Sequence, residues 1–220
     1  MNFNVDGNGA QAPDQGGLAK VAYYGIMQMV FSRQLVAGEI VQERPLSVTL
    51  DMSRTPIREA LRRMEAEGWM VRLSGRTIAV KRVGIEEYTS ALKVREILEP
   101  EAAALAAEKA DKNEIRRWRE QLEKLTEMDG PIPKLQWEFD QSLHVGIAIA
   151  SQNVVLPKII NELRKTTQMF ENQTLPAKSF PGYKDHIAII DAIEANDSEG
   201  ARRAMLSHLR QVKKNVMEQL

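Results

Sequence analysis

Three observations predict a mainly α protein in two parts. Apolar residues recur at helical spacing along most of the 220 positions, two β-prone runs flank one tight turn at Ser74-Gly75-Arg76, and basic charge gathers ahead of residue 83. Together they describe an N-terminal winged helix-turn-helix followed by an all-α helical bundle domain.

Residues 1–17 contain no Lys or Arg and no apolar run, so they read as a disordered arm and not as a secretory signal. From Leu18 to Val36 the apolar positions follow one helical face, closed by Gly38. A short helix is expected around Pro45 to Leu50. Thr55 is placed as the N-cap of the next helix, with Pro56 its first residue, Ile57, Ala60, Leu61 and Met64 its apolar stripe, and Gly68 its stop. Trp69–Leu73 and Thr77–Lys81 then form a hairpin, completing a DNA-binding domain over 18–82. Breaks at 111–113, 130–133, 151–153, 176–181 and 196–198 divide the domain from 85 to 220 into six helices, and Pro100 is expected to kink the first or mark a local irregularity in it. Asn153 is expected to cap a helix rather than to bind anything.

Composition excludes several classes of function. Thirty basic and thirty acidic residues give zero formal charge, and no cysteine is present, so any metal must take nitrogen and oxygen ligands. The absence of cysteine suits a cytoplasmic location, and no apolar run approaches the ~20 residues of a membrane span. Patterns for zinc proteases, serine hydrolases and phosphate-binding loops are missing, and no enzyme activity is expected. Charge is nonetheless uneven, at +3 for residues 1–82 and −3 for the rest, and eight of the nine basic residues in 40–82 are arginines. Arginine suits phosphate and base-edge contacts, although a solvated basic face also fits this excess taken alone.

In a helix-turn-helix the N-terminal end of the second helix enters the major groove. Ser53, Arg54, Thr55 and Arg58 occupy that end here, with hydroxyls for phosphate oxygens and guanidiniums for guanine edges. Arg44, and Gly75 and Arg76 at the wing tip, complete the candidate DNA contacts. For the arginines the alternative is ordinary surface pairing with Glu59 or Glu65. The run GEIVQERPLSVTLDMSRTPIREALRRMEAEG (38–68) resembles the GntR-type winged-helix regulators. It departs from their pattern at Pro45, Ser47 and Asp51, the last standing where glycine is usual between two helices. A left-handed turn there costs an aspartate more than a glycine.

All three histidines fall in the second part. Asp140 and His144 are four apart beside Phe139, Leu143 and Ile147; His186 heads the stripe Ile189, Ile190, Ile193; His208 lies among Ala204, Met205, Leu209 and Val212. Three imidazoles and a carboxylate thus point inward from three helices. They share a divalent metal, or each is a core group with its own hydrogen bond. Zinc is the first choice, with nickel, iron and manganese open. Arg95 shares a face with Tyr88, Ala91, Leu92 and Leu98, and its inward guanidinium pairs with Glu99 or Glu96, or takes a carboxylate ligand.

The segments VREILEPEAAALAA (94–107), FDQSLHVGIAIASQN (139–153) and DHIAIIDAIEANDSEGARRAMLSHL (185–209) resemble the all-helical, metal-containing FCD ligand-binding domain of the FadR-type branch of those regulators. The resemblance implies a metal on Asp140, His144, His186 and His208, and a small carboxylate-bearing effector near Arg95. The function expected is that of a ligand-responsive repressor binding a palindromic DNA operator as a homodimer. A winged-helix protein with a purely structural metal, and a metal-dependent hydrolase, are the alternatives.

Overall fold

Helix formation follows the apolar stripes, and several helices end at left-handed residues, Arg33, Asp51, Gly68, Gln152 and Asn196. The structure, a computed structural model, describes residues 15–75, 77–127, 133–175 and 183–220. The chain divides into two compact units, the first ending at Lys81 and the second running from Arg82 to Leu220.

In the first unit, α1 (Gln15–Phe31) is followed by β1 (Ile40–Val41), α2 (Glu43–Thr49), α3 (Arg54–Ala66), β2 (Met70–Ser74) and β3 (Thr77–Val80). Helix α1 starts inside the expected arm and ends five residues early, because Arg33 adopts φ 61 before Gly38 is reached. The remainder of the arm, residues 1–14, lies outside the described residues. Asp51 does take the left-handed turn between α2 and α3, with φ 49. The N-cap of α3 is Ser53, not Thr55, and Pro56 sits in its first turn, where an absent N–H is harmless. Its C-terminus closes as expected at Gly68 (φ 81): Trp69 N donates to Met64 O at 2.9 Å and Gly68 N to Glu65 O at 3.1 Å, which satisfies two terminal carbonyls.

The hairpin is antiparallel, and β1 adds to its other edge, giving the sheet order β1-β3-β2. With only two residues, β1 is too short to show alternation in sequence. The core of this unit is Ala22, Ile26 and Val30 from α1 against Ile57, Leu61 and Met64 from α3, closed by Trp69, Met70 and Val80. Phe31 meets Trp69 edge-on at 5.8 Å.

The second unit contains α4 (Ile85–Lys109), α5 (Lys112–Thr126), α6 (Pro133–Ala150), α7 (Leu156–Thr174), α8 (Tyr183–Glu194) and α9 (Ser198–Met217). Helix α4 passes through Pro100 without interruption and packs against α6, α7, α8 and α9. Buried alanines at 102, 103, 104, 106 and 107 give its second half a narrow profile, so neighbours approach closely. On α6, a Cβ at Gly146 would lie 3.0 Å from Nε1 of Trp118 on α5, so glycine permits that contact. The N-cap of α7 is Val155, not Asn153, which stands two residues ahead and accepts at Oδ1 from the amides of Val155 and Leu156.

Candidate functional site

Four ligand-type atoms from three helices of the second unit converge. Asp140 and His144 on α6, His186 on α8 and His208 on α9 are all buried, and one donor atom from each lies within 4.8 Å of every other. Zinc ligands at about 2.0–2.1 Å stand about 3.3 Å apart in a tetrahedron, so a small inward closure makes a coordination shell. Oδ1 of Asp140 is 3.4 Å from His144 Nε2 and 3.1 Å from His186 Nε2.

Neighbouring groups prepare these donors. The Glu99 carboxylate accepts from His144 Nδ1 and from Arg95 Nε, the latter at 2.5 Å. Burial alone would push the Glu99 carboxyl up, but Arg95 and His144 hold it below the usual carboxylate range. An ionised Glu99 keeps the His144 proton on Nδ1, so Nε2 presents a lone pair, and that atom is buried with no hydrogen-bond partner. Asp140 behaves alike: burial opposes its charge, yet above all the Arg164 guanidinium keeps its carboxyl well below the ordinary range. Arg164 Nη2 donates to Asp140 Oδ2 at 2.5 Å, leaving Oδ1 toward the histidines. Burial pushes His208 down to about 3, against the pull of Asp185, so the ring is neutral and able to ligate at neutral pH. Its Nδ1 faces Asp185 Oδ2 at 3.9 Å. An individually hydrogen-bonded core histidine would leave no nitrogen like His144 Nε2 orphaned, whereas a bound cation gives it a use.

Arg95 is buried as expected, with Nε on Glu99 and Nη1 donating to Thr167 Oγ1 at 2.7 Å. The guanidinium nitrogen with no partner belongs instead to Arg164, whose Nη1 is buried and unsatisfied. Sequence reasoning missed Arg164 and the polar line it begins on α7: Thr167, Gln168 and Glu171 are buried on the same helix. The signal was present, since Leu156, Ile160, Arg164, Gln168 and Glu171 continue a single stripe from apolar into polar residues.

In the first unit, Arg44, Arg54, Arg58, Arg62 and Arg72 line one groove beside β1 and α3. Arg44, Ser53, Arg54, Thr55 and Arg58 are exposed, as is Gly75, which takes φ 49 at the wing turn; Arg76 lies outside the described residues. Arg58 pairs with Glu43 on α2, not with Glu59 or Glu65, through Nε to Oε1 at 2.8 Å and Nη2 to Oε2 at 2.7 Å. Arg72 is the arginine bound to Glu65.

Known families match both units. The FCD domain model covers residues 90–211, and the model of bacterial regulatory proteins of the gntR family covers 18–80. The chain is a GntR-family regulator with an FCD domain. Among curated relatives, the HTH-type transcriptional regulator LutR of Bacillus subtilis is 26% identical over 212 residues, spanning 84% of this chain and 94% of LutR. The Uxu operon transcriptional regulator of Escherichia coli is 28% identical over 203 residues, spanning 80% and 77%. Among solved structures, E. coli McbR/YncC superposes with a TM-score of 0.71 at 21% identity, covering 92% of this chain and 98% of that one, a likeness of fold. GntR-family proteins are ligand-responsive transcriptional regulators and not enzymes, which removes the hydrolase alternative. No helix among the described residues is long and apolar enough to cross a membrane.

Proposed function

We propose that this GntR-family regulator represses transcription by binding a palindromic operator as a homodimer, and releases it when a carboxylate effector binds a metal centre. Residues 18–82 read DNA, and 85–220 bind effector and dimerise. Arg54 and Arg58 contact base edges; Ser53, Thr55 and Arg44 contact phosphates; Gly75 and Arg76 carry the wing into the adjacent groove. Asp140, His144, His186 and His208 hold a divalent cation, zinc by preference. The cation would supply a Lewis-acidic anchor for an effector carboxylate. Arg164 Nη1 offers that carboxylate a charge-assisted hydrogen bond, while Arg95 fixes Glu99 and adds positive potential.

One observation carries this reading: the His144 Nε2 lone pair, aligned by Glu99 and buried without a partner, in a cluster with three other ligand-type side chains. Release on effector binding requires the effector to bind the DNA-released arrangement more tightly than the DNA-bound one. The direct experiment is metal analysis of the purified chain, followed by gel shifts on its own upstream DNA with a panel of small carboxylates. The expected result is one equivalent of metal per chain and release of DNA that needs both metal and acid. Metal-free protein that releases DNA equally well in response to an acid would reject the metal-assisted pocket. A metal with no acid response would leave the purely structural metal as the better reading.

A further inference from the structure

The arginines of the groove beside β1 and α3 are not in one state. Arg44, Arg54 and Arg62 make no ion pair among the described residues, whereas Arg58 on α3 is paired with Glu43, the first residue of α2, and Arg72 with Glu65. Glu43 itself lines the groove. A carboxylate there repels the phosphates that the arginines attract, so it weakens binding to DNA of every sequence.

The geometry of the pair shows what the carboxylate supplies instead. Oε1 accepts from Arg58 Nε at 2.8 Å and Oε2 from Nη2 at 2.7 Å, so the guanidinium is gripped along one side. That grip uses the Nε hydrogen and one hydrogen of Nη2. Among the described residues nothing accepts from Nη1, and the side chain is 51% exposed. The end of the guanidinium thus presents one hydrogen on each terminal nitrogen. Two such donors match O6 and N7 of guanine, whereas adenine sets a donor of its own against one of them. The pair carries no net charge, so its pull on phosphate is small and its directional hydrogen bonds remain. Rotamer freedom that an unpaired arginine loses on docking is already lost here.

We infer that Glu43 is a specificity-determining residue of the DNA site, which touches no base itself and holds Arg58 side-on so that its free end reads one guanine per bound winged helix. This rests on the base-reading role of Arg58 proposed above and adds the group that directs it. A carboxylate in the first turn of α2 also favours that helix electrostatically. Were that its only role, its loss would weaken binding to all DNA alike; a directing role gives the opposite sign on random DNA.

The experiment compares the full chain with Glu43→Ala, Arg58→Ala and the double variant. Alanine suits a helix and Glu43 is partly exposed, so the variant folds. The parent first selects a site from a randomised duplex pool. The selected duplex, its single-base variants and a random duplex of equal length are then titrated by fluorescence anisotropy at several salt concentrations. Glu43→Ala is expected to bind the random duplex about two- to tenfold more tightly, with a salt slope steeper by up to about one, because the released guanidinium becomes an ordinary phosphate contact. Its preference for guanine over adenine at one position per winged helix should fall about tenfold or more. The double variant should discriminate there no worse than Arg58→Ala alone, since Glu43 acts through Arg58. Unchanged discrimination in Glu43→Ala, with discrimination lost in Arg58→Ala, overturns this inference and leaves base reading by Arg58 intact. Equal weakening on both duplexes, or a further loss of discrimination in the double variant, overturns it as well. A parent that selects no sequence, or an Arg58→Ala variant that keeps every guanine preference, overturns both readings together.

Discussion

Replacing Glu171 by glutamine should remove a loss of stability that the second unit otherwise suffers as pH rises, without any ligand present. Glu171 faces Tyr88 and Arg95 on α4, Asp140 on α6 and Arg164 on its own helix. Burial raises its carboxyl from 4.5 to about 7, Arg95 and Arg164 pulling against the rise and Asp140 adding to it. Between those values the folded chain holds a proton that the unfolded chain has released. The unfolded state then binds fewer protons than the native one, so unfolding free energy falls as pH rises through the window. A difference of about 2.5 units at about 1.36 kcal/mol each amounts to about 3 kcal/mol, present below the unfolded value and gone above about 7. Glutamine is neutral throughout. Urea melts of metal-free protein, followed by helical circular dichroism at about pH 4.5 and about pH 8, should show Glu171→Gln gaining about 3 kcal/mol on the parent between the two conditions. Other titrating groups act on both proteins and cancel in the comparison. Parallel pH profiles for parent and variant would refute the assignment of a neutral, buried Glu171.

Three further outcomes follow from the same geometry. Glu99→Gln, which leaves all four ligand-type side chains in place, should weaken zinc affinity by about 10- to 100-fold in a chelator competition; unchanged affinity would mean that Glu99 does not set the His144 tautomer. Arg58→Ala should weaken operator binding about 10- to 100-fold in gel shifts and random DNA far less, because Glu43 holds this guanidinium in a fixed, bidentate orientation; equal losses on both DNAs would remove its base-reading role. Leu143→Ala, at a fully buried position of α6 beside His144, should cost about 2–5 kcal/mol in chemical denaturation, and a loss below about 1 kcal/mol would show that the bundle collapses around the cavity.

The sequence made the cluster of three histidines and an aspartate visible and hid the chemistry around it, for one physical reason. Histidine occurs only three times, and each occurrence sits on an apolar stripe, so inward orientation could be inferred from phase alone. Arginine and glutamate are common, and a charged residue on a helix is ordinarily solvated, so Arg164 and Glu171 did not stand out. Phase treats them alike, however. On α9 the one ionisable side chain among the buried residues is His208; on α6 Asp140 and His144 interrupt Phe139, Leu143 and Ile147; on α4 Arg95 and Glu99 interrupt Ala91, Leu92 and Ala102; on α7 Arg164 and Glu171 follow Leu156 and Ile160. Every one of these residues is buried, while Glu43 and Arg58, off any apolar stripe, pair with each other at the surface. What phase cannot supply is the partner. That Glu99 meets His144, or that Arg164 meets Asp140, depends on which helices adjoin and at what depth, and those are properties of packing between elements far apart in the chain. The helix ends obey the same division: Gly68 closed α3 where a glycine is cheap, whereas α1 ended at Arg33, a left-handed residue that local propensity does not mark.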